Sequence, residues 1–256
     1  MVSALGKILE IIILIIAAFF SSTVSAFLGM GGGIILLGIM ALFIPNGFMV
    51  IAIHGLIQLI SNSTRTYIFK KNIKKDIIKE FIFGAIVGSI ASIFIILILI
   101  NFYKVQSASE IKVDFLKPLI GFFILWYLFF KKSKQKNTKS FFKVGFISGL
   151  TSIFIGATGP LIAPFFLKKK LLKEEIIANK AACQVITHLT KIPIFIYFFN
   201  VNYFKEYLIL IPLFFSVFIG TNFGKKILKN IPEAQFKKIF KIVLFVIAVR
   251  LILSPL

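Results

Sequence analysis

Long apolar runs separated by short polar breaks fill most of the chain. Eight runs of helix-forming length occupy residues 8–28, 48–69, 77–101, 115–130, 141–155, 176–199, 206–223 and 238–254. Most of them approach the about 20 apolar residues that a membrane-spanning helix needs. None has the regular alternation of polar and apolar residues that is typical of a barrel strand. The pattern therefore predicts an all-α integral membrane protein with eight long helices.

Two further apolar runs are too short to cross a membrane. Residues 34–44 follow the segment Gly29-Met30-Gly31-Gly32-Gly33, here called tip 1, and residues 161–167 follow Gly156-Ala157-Thr158-Gly159-Pro160, here called tip 2. Irregular backbone inside a membrane is tolerated where it lines a cavity in the protein. Within the run 141–155, the stretch from Val144 to Ile155 is short as well. We therefore expect these short pieces to belong to broken helices or to re-entrant hairpins with a glycine tip.

The two tips occupy equivalent places in two halves of the chain, residues 1–133 and 134–256. Tip 1 matches tip 2 at an offset of 127 residues, and the segment from Gln58 to Arg65 matches that from Gln184 to Lys191 at an offset of 126. Duplicated segments with interrupted helices are a sequence sign of a transporter built from repeats. The chain is predicted to be one transmembrane domain of two repeats.

Basic residues indicate which loops face the cytoplasm. The chain has 30 Lys and Arg against 9 Asp and Glu, a net charge of +21, and 22 of the basic residues lie in segments 70–79, 131–143, 168–180 and 225–241. Short loops rich in Lys and Arg stay cytoplasmic. Equivalent loops of the two halves are basic in one half and nearly neutral in the other. We therefore expect inverted-topology repeats with both termini extracytoplasmic.

The composition excludes several classes of function. Hydrophobic residues make up 59% of the chain, against about 45–50% in soluble domains. About eight to ten membrane-spanning segments fill a length of 256 residues and leave no room for a soluble catalytic domain. We expect a multi-pass protein of the cytoplasmic membrane that contacts lipid and a small anionic substrate and binds no nucleic acid. A monomer and a homo-oligomer are both compatible with the sequence. The single cysteine, Cys183, excludes a disulfide framework and a cysteine-based metal site.

Two of the predicted helices carry polar side chains along one face, at positions i, i+4 and i+7. These side chains are Gln58, Asn62 and Arg65 in the first half and Gln184, His188 and Lys191 in the second. All Asp and Glu residues lie in loops or at helix ends, so a pathway for metal cations lacks ligands. Amide, imidazole and cationic donors favour a small anion instead. His188 is also a candidate for proton coupling, because imidazole titrates near neutral pH.

The glycine tips point to the same class of ligand. Consecutive N–H groups and the positive end of a following helix are suited to an oxyanion. No catalytic residue, metal or cofactor is predicted. The predicted substrate-binding residues are Gly29, Gly31, Gly32, Gly33, Gln58, Asn62, Arg65, Gly156, Thr158, Gly159, Gln184, His188 and Lys191.

Glycines and charged residues also have structural interpretations. The pairs Gly84/Gly88 and Gly220/Gly224 have the small-xxx-small spacing that is typical of close helix packing. Close helix packing is also the alternative to substrate contact for the glycines of the two tips. Arg65 lies near the cytoplasmic end of its helix, where its side chain can snorkel to the interface.

The two histidines also have interpretations other than substrate binding. His54 is expected to be a buried core residue, and His188 has the same alternative. Ser148, which lies between two glycines, together with His188 on another segment also raises the alternative of an intramembrane serine hydrolase. That alternative is disfavoured because Ser148 lies beside the second glycine segment and has a small counterpart in Ser21.

The segments Ser25–Gly33 and Ser148–Pro164 resemble the two glycine signatures of the sulfite exporter TauE/SafE family. Thr158 replaces a glycine that is usual there, and tip 1 lacks the proline that often follows. The resemblance covers nearly the whole chain. It implies a secondary transporter that exports small sulfur-containing anions such as sulfite or sulfoacetate, or in some members imports a related anion.

Overall fold

The computed structural model describes residues 4–29, 31–110, 140–167, 171 and 173–227, with isolated residues between 118 and 129 and between 242 and 253. Short 3-10 turns lie at Lys70–Asn72 and Ala108–Glu110. The α-helices in these ranges are α1 (Ala4–Leu28), α2 (Gly32–Phe43), α3 (Gly47–Ile68), α4 (Lys75–Tyr103), α5 (Phe141–Ile155), α6 (Gly159–Leu167), α7 (Lys173–Phe199) and α8 (Tyr207–Ile227).

The all-α membrane architecture is confirmed. Within the described ranges, five helices are long and apolar enough to cross a membrane and no strand occurs. The short runs after the two tips form α2 and α6, as predicted. Helix α5 is shorter than a membrane span, as expected from the short run between Val144 and Ile155. The predicted helices at 115–130 and 238–254 lie outside the described residues except for isolated positions.

Helix ends follow local sequence signals. Asn46 caps α3 by accepting a hydrogen bond from the Met49 N–H at 3.0 Å, and Ser140 caps α5 by accepting one from the Phe142 N–H at 3.2 Å. Such caps bind N–H groups that have no partner inside the helix. These caps set the positions where two helices of the site region begin.

Helix packing has the same pattern in both halves. If α1 to α4 correspond to α5 to α8, the central pair α3–α7 maps onto itself, and the pair α1–α8 maps onto α5–α4. The weaker pair α3–α8 likewise maps onto α7–α4. Each outer pair therefore joins one helix from each half. One outer pair contacts α3 through α8, and the other contacts α7 through α4.

The outer pairs are close-packed through glycine, as the spacing predicts. A Cβ atom on Gly84 or Gly88 would collide with the α5 backbone. On Gly220 or Gly224 it would collide with the α1 backbone. The opposite faces carry exposed large apolar side chains such as Phe94 of α4, which are suited to lipid contact. Close backbone approach is the usual basis of helix association in membranes.

The connection between α3 and α4 is fixed to the start of α7. The buried Asn179 side chain accepts a hydrogen bond from the Lys74 N–H at 2.7 Å and donates one to the Asn72 carbonyl at 3.1 Å. The Lys74 ammonium also forms an ion pair with Glu175 at 2.7 Å. This end of α7 is therefore tied to the first half of the chain.

Candidate anion site

Glycine ends the helix before each tip. Gly29 and Gly156 have φ angles of 69° and 79°, in the left-handed region that favours glycine. The Gly29 N–H donates to the Ser25 carbonyl at 3.0 Å, and the Gly156 N–H donates to the Ser152 carbonyl at 3.1 Å. These equivalent turns stop α1 and α5 and redirect the chain into α2 and α6.

Each tip rests on an isoleucine from the other half. A Cβ atom on Gly29 would lie 2.9 Å from Ile177 of α7, and one on Gly156 would lie 3.1 Å from Ile51 of α3. Ile51 and Ile177 are themselves equivalent at the offset of 126 residues. The opposite half therefore sets the position of each tip, and both tips meet at α3 and α7.

Buried cations bind the carbonyl ends of α1 and α5. The Lys180 ammonium donates to the Gly29 carbonyl at 2.5 Å, and Lys191 donates to the Gly156 carbonyl at 3.2 Å. The Arg65 guanidinium donates to the Ser25 carbonyl at 3.2 Å and to the Asn62 side-chain oxygen at 2.5 Å. Helix C-termini carry a partial negative charge, so these three cations stabilise both turns.

Glycines leave the space that two of the polar side chains occupy. A Cβ atom on Gly55 would lie 3.0 Å from the Lys191 ammonium nitrogen and closer still to Cε, and one on Gly159 would lie 2.7 Å from the Gln184 amide nitrogen. A Cβ on Gly33 would touch Gln58 at an ordinary 3.5 Å. The two glutamines therefore each face a glycine at the start of the short helix after a tip, α2 in one half and α6 in the other.

A small polar cavity lies where the tips meet. Its volume open to the centre of a water-sized sphere is about 10 Å³, which is room for about one water molecule. No Asp or Glu is among the residues that line it. Its lining comprises Ser25, Gly31, Gly33, Ile34, His54, Gln58, Arg65, Ala157, Gly159, Lys180, Gln184 and His188.

Several buried polar atoms around this cavity have no hydrogen-bond partner within the described part of the chain. They include both ring nitrogens of His188, Nδ1 of His54 and Nε of Arg65. The hydroxyl of Thr158, which lies between the lining residues Ala157 and Gly159, also has no hydrogen-bond partner there. The two imidazole rings lie edge to face with centroids 6.3 Å apart. Buried polar groups normally have partners, so this cluster is suited to a polar ligand.

The structure brings most of the predicted site residues together. Seven of them line the cavity, namely Gly31, Gly33, Gln58, Arg65, Gly159, Gln184 and His188. Four others lie next to the cavity lining. Asn62 and Gly29 accept hydrogen bonds from the lining residues Arg65 and Lys180, and Lys191 donates to the Gly156 carbonyl. Gly32 is different, because a Cβ atom on it would collide with the α1 backbone at Ser21. Its place is in the packing of α2 on α1.

Two residues that line the cavity were not among the predicted site residues. Lys180 was assigned to a cytoplasmic loop, but it is 1% exposed within α7. His54, expected in the core, is buried on the cavity wall and hydrogen-bonds the Gly33 carbonyl through Nε2 at 2.8 Å. These two residues are equivalent at the offset of 126, and each lies four residues before a site glutamine. That register was the signal available to find them.

The hydrolase alternative lacks its dyad. The Ser148 hydroxyl lies 3.0 Å from the Thr187 hydroxyl, whereas neither ring nitrogen of His188 has a described partner. A serine nucleophile needs a base within hydrogen-bond reach. Ser148 instead joins α5 to α7.

Comparison with protein families identifies the chain. A family model described as sulfite exporter TauE/SafE matches residues 14–251. The chain belongs to the sulfite exporter TauE/SafE family. No match was found among curated proteins or among solved structures. Membership of this family makes the chain a membrane transporter, and the glycine segments that resembled its signatures are the two tips at the cavity.

Proposed function

We propose that this TauE/SafE family member is a secondary transporter that exports small sulfur-containing anions, such as sulfite or sulfoacetate, across the cytoplasmic membrane. The observation that carries the proposal is the cavity between the tips. Arg65 and Lys180 line it together with unpartnered imidazole nitrogens, and no carboxylate is among its lining residues. Such a donor set favours an oxyanion and disfavours a metal cation.

Transport by alternating access fits the size of the cavity. A space for about one water molecule is too small for sulfite, so the helices around it have to separate for the anion to enter. The equivalent tips and outer helix pairs provide two similar routes, one toward each membrane face. In this proposal the lysine-rich loops face the cytoplasm and both termini lie outside.

Uptake of labelled sulfite into proteoliposomes tests the proposal. The Lys191→Met variant removes a buried charge from behind tip 2, and the Lys143→Met variant removes an exposed one from α5. We expect Lys191→Met to lower sulfite flux at least about tenfold, the cost of losing a charged hydrogen bond, and Lys143→Met to leave it unchanged. Equal flux in wild type and Lys191→Met would remove Lys191 from the site.

Direction and coupling need separate measurements. Flux in vesicles of known protein orientation, measured from each side, distinguishes export from the alternative of import of a related anion. An imposed pH gradient tests coupling through His188, and flux that does not respond to the gradient would exclude it. A Ser148→Ala variant with wild-type flux is expected, because Ser148 lies outside the cavity lining.

A further inference from the structure

His54 carries a buried hydrogen-bond acceptor on the cavity wall. Its Nε2 lies 2.8 Å from the Gly33 carbonyl oxygen, and because a carbonyl oxygen only accepts, Nε2 bears the proton of this hydrogen bond. The other ring nitrogen, Nδ1, has no hydrogen-bond partner within the described part of the chain. In a neutral imidazole whose proton is on Nε2, the lone pair of Nδ1 is an acceptor.

The surroundings of His54 favour the neutral ring. His54 is 1% exposed, and no Asp or Glu is among the residues that line the cavity. The basic side chains at or next to the cavity are Arg65 on α3 and Lys180, His188 and Lys191 on α7, whereas α2 and α6 contain no titratable residue. A further positive charge without an acidic partner is costly to bury. Nδ1 is therefore an acceptor among groups that mostly donate.

The neighbouring imidazole of His188 does not supply the missing donor. The two rings have centroids 6.3 Å apart, and neither nitrogen of His188 has a hydrogen-bond partner among the described residues. Buried polar groups normally have partners, so the ligand of this cavity has to donate as well as accept. A fully deprotonated oxyanion only accepts, whereas an oxyanion that keeps one proton also has a hydroxyl group that donates. Hydrogensulfite in its hydroxyl form is an anion of this kind.

We propose that the site selects singly protonated oxyanions and that His54 recognises them by accepting a hydrogen bond from their hydroxyl group at Nδ1. This inference rests on the proposed function and deepens it, because it names the form of sulfite that binds. It also distinguishes His54 from a residue that only ties α3 to tip 1 through the Gly33 carbonyl. Loss of such a tie affects the binding of all anions alike, whereas loss of the acceptor affects only those that carry a hydroxyl.

Two anions of similar shape and equal charge test the inference. At mildly acidic pH, methylphosphonate carries one negative charge and one hydroxyl, whereas methanesulfonate carries one negative charge and no hydroxyl. The concentration at which each anion raises the Tm of purified protein in detergent gives its apparent Kd. We expect the wild type to bind methylphosphonate about tenfold more tightly, which is the contribution of one buried hydrogen bond.

Matched variants test the assignment to His54. His54→Leu and His54→Asn have side chains of similar size, and both lose the hydrogen bond from Nε2 to the Gly33 carbonyl. Only asparagine keeps an acceptor oxygen close to the place of Nδ1. The preference for methylphosphonate should therefore disappear in His54→Leu and persist in His54→Asn, whereas equal Kd ratios in the two variants would overturn the assignment. If His54→Leu does not fold, His54→Gln replaces it, because a glutamine amide that donates to the Gly33 carbonyl holds its oxygen away from the place of Nδ1.

The outcomes separate the two proposals. Equal binding of the two anions by the wild type, or binding of neither, overturns the selection of protonated oxyanions. If such a wild type still takes up labelled sulfite in proteoliposomes, the proposed function stands without the inference. If the wild type prefers methylphosphonate but transports no sulfite, the proposed function fails, and the site for protonated oxyanions is supported.

Discussion

The α4–α5 crossing gives a sharp prediction for stability. A Cβ atom on Gly84 would collide with the Phe142 carbonyl, and one on Gly88 would collide with the Phe146 carbonyl. Both obstacles are backbone atoms of a helix, which cannot rotate away as a side chain can. The double variant Gly84→Ala/Gly88→Ala therefore forces α4 and α5 apart.

Two opposing terms set the size of the effect. Alanine is favoured over glycine inside a helix by about 1 kcal/mol, or about 2 kcal/mol for both positions. Overpacking costs about 1–3 kcal/mol at each position, or about 4 kcal/mol for both at the midpoint. The net loss in the free energy of unfolding is therefore about 2 kcal/mol. In a chain of this size that loss lowers Tm by about 4–8 °C.

The single cysteine provides the assay. Cys183 is a free, fully buried thiol, so a thiol-reactive dye reports the unfolding of purified protein in detergent. Gly33→Ala is the matched control, because its Cβ would lie 3.5 Å from Gln58 in ordinary contact, and its Tm should be unchanged or raised. A double variant that melts at or above the wild-type temperature would refute the tight crossing.

Two further predictions concern the connections between helices. Asn179→Ala removes the hydrogen bonds to Lys74 and Asn72. Because the loss of these hydrogen bonds costs about 1–2 kcal/mol, amide hydrogen exchange in residues 70–74 should accelerate about tenfold. Unchanged protection of these amides would contradict this role of Asn179. Burial raises the pKa of the Tyr203 hydroxyl above its ordinary 10.0. The unfolded chain therefore ionises first, and stability is lost as pH rises through about 10. Tyr203→Phe should lose less Tm than the wild type between pH 8 and pH 10.5, and equal losses would contradict the burial.

The helices and tips could be predicted because local signals mark their ends. Glycine clusters interrupt the apolar runs at both tips, and lysine-rich breaks end several of the others. The polar faces of α3 and α7 followed from spacing alone. Such features depend on residues that are near each other along the chain.

Lys180 shows where local reasoning fails. It follows a run of lysines and was counted with them among the 22 basic residues of the cytoplasmic segments, although the predicted helix 176–199 already contained it. Helix α7 begins at Lys173, about two turns before Lys180, and places Lys180 on the same face as Gln184. Only the fold brings its ammonium to the Gly29 carbonyl, 151 residues away along the chain.

Arg65 and Gly32 show the same limit. The side chain of Arg65 does not extend to the interface; it is 2% exposed and binds the Ser25 carbonyl. Gly32 belongs to a tip, but its missing side chain serves the contact of α2 with α1. Hydropathy describes the surroundings of a segment, whereas these roles depend on which distant backbone lies opposite each residue.

The outer helix pairs bear on how the chain is made. Thr23 of α1 donates to the Gly220 carbonyl of α8, 197 residues later, and α4 contacts α5 only after the second half has begun. During synthesis, α1 enters the membrane long before its partner exists, with its serine and threonine face uncovered. That face has to be shielded by lipid, by other helices or by the insertion machinery until α8 arrives. Truncation before α8 therefore leaves α1 without the helix that it contacts most extensively in the described part of the chain.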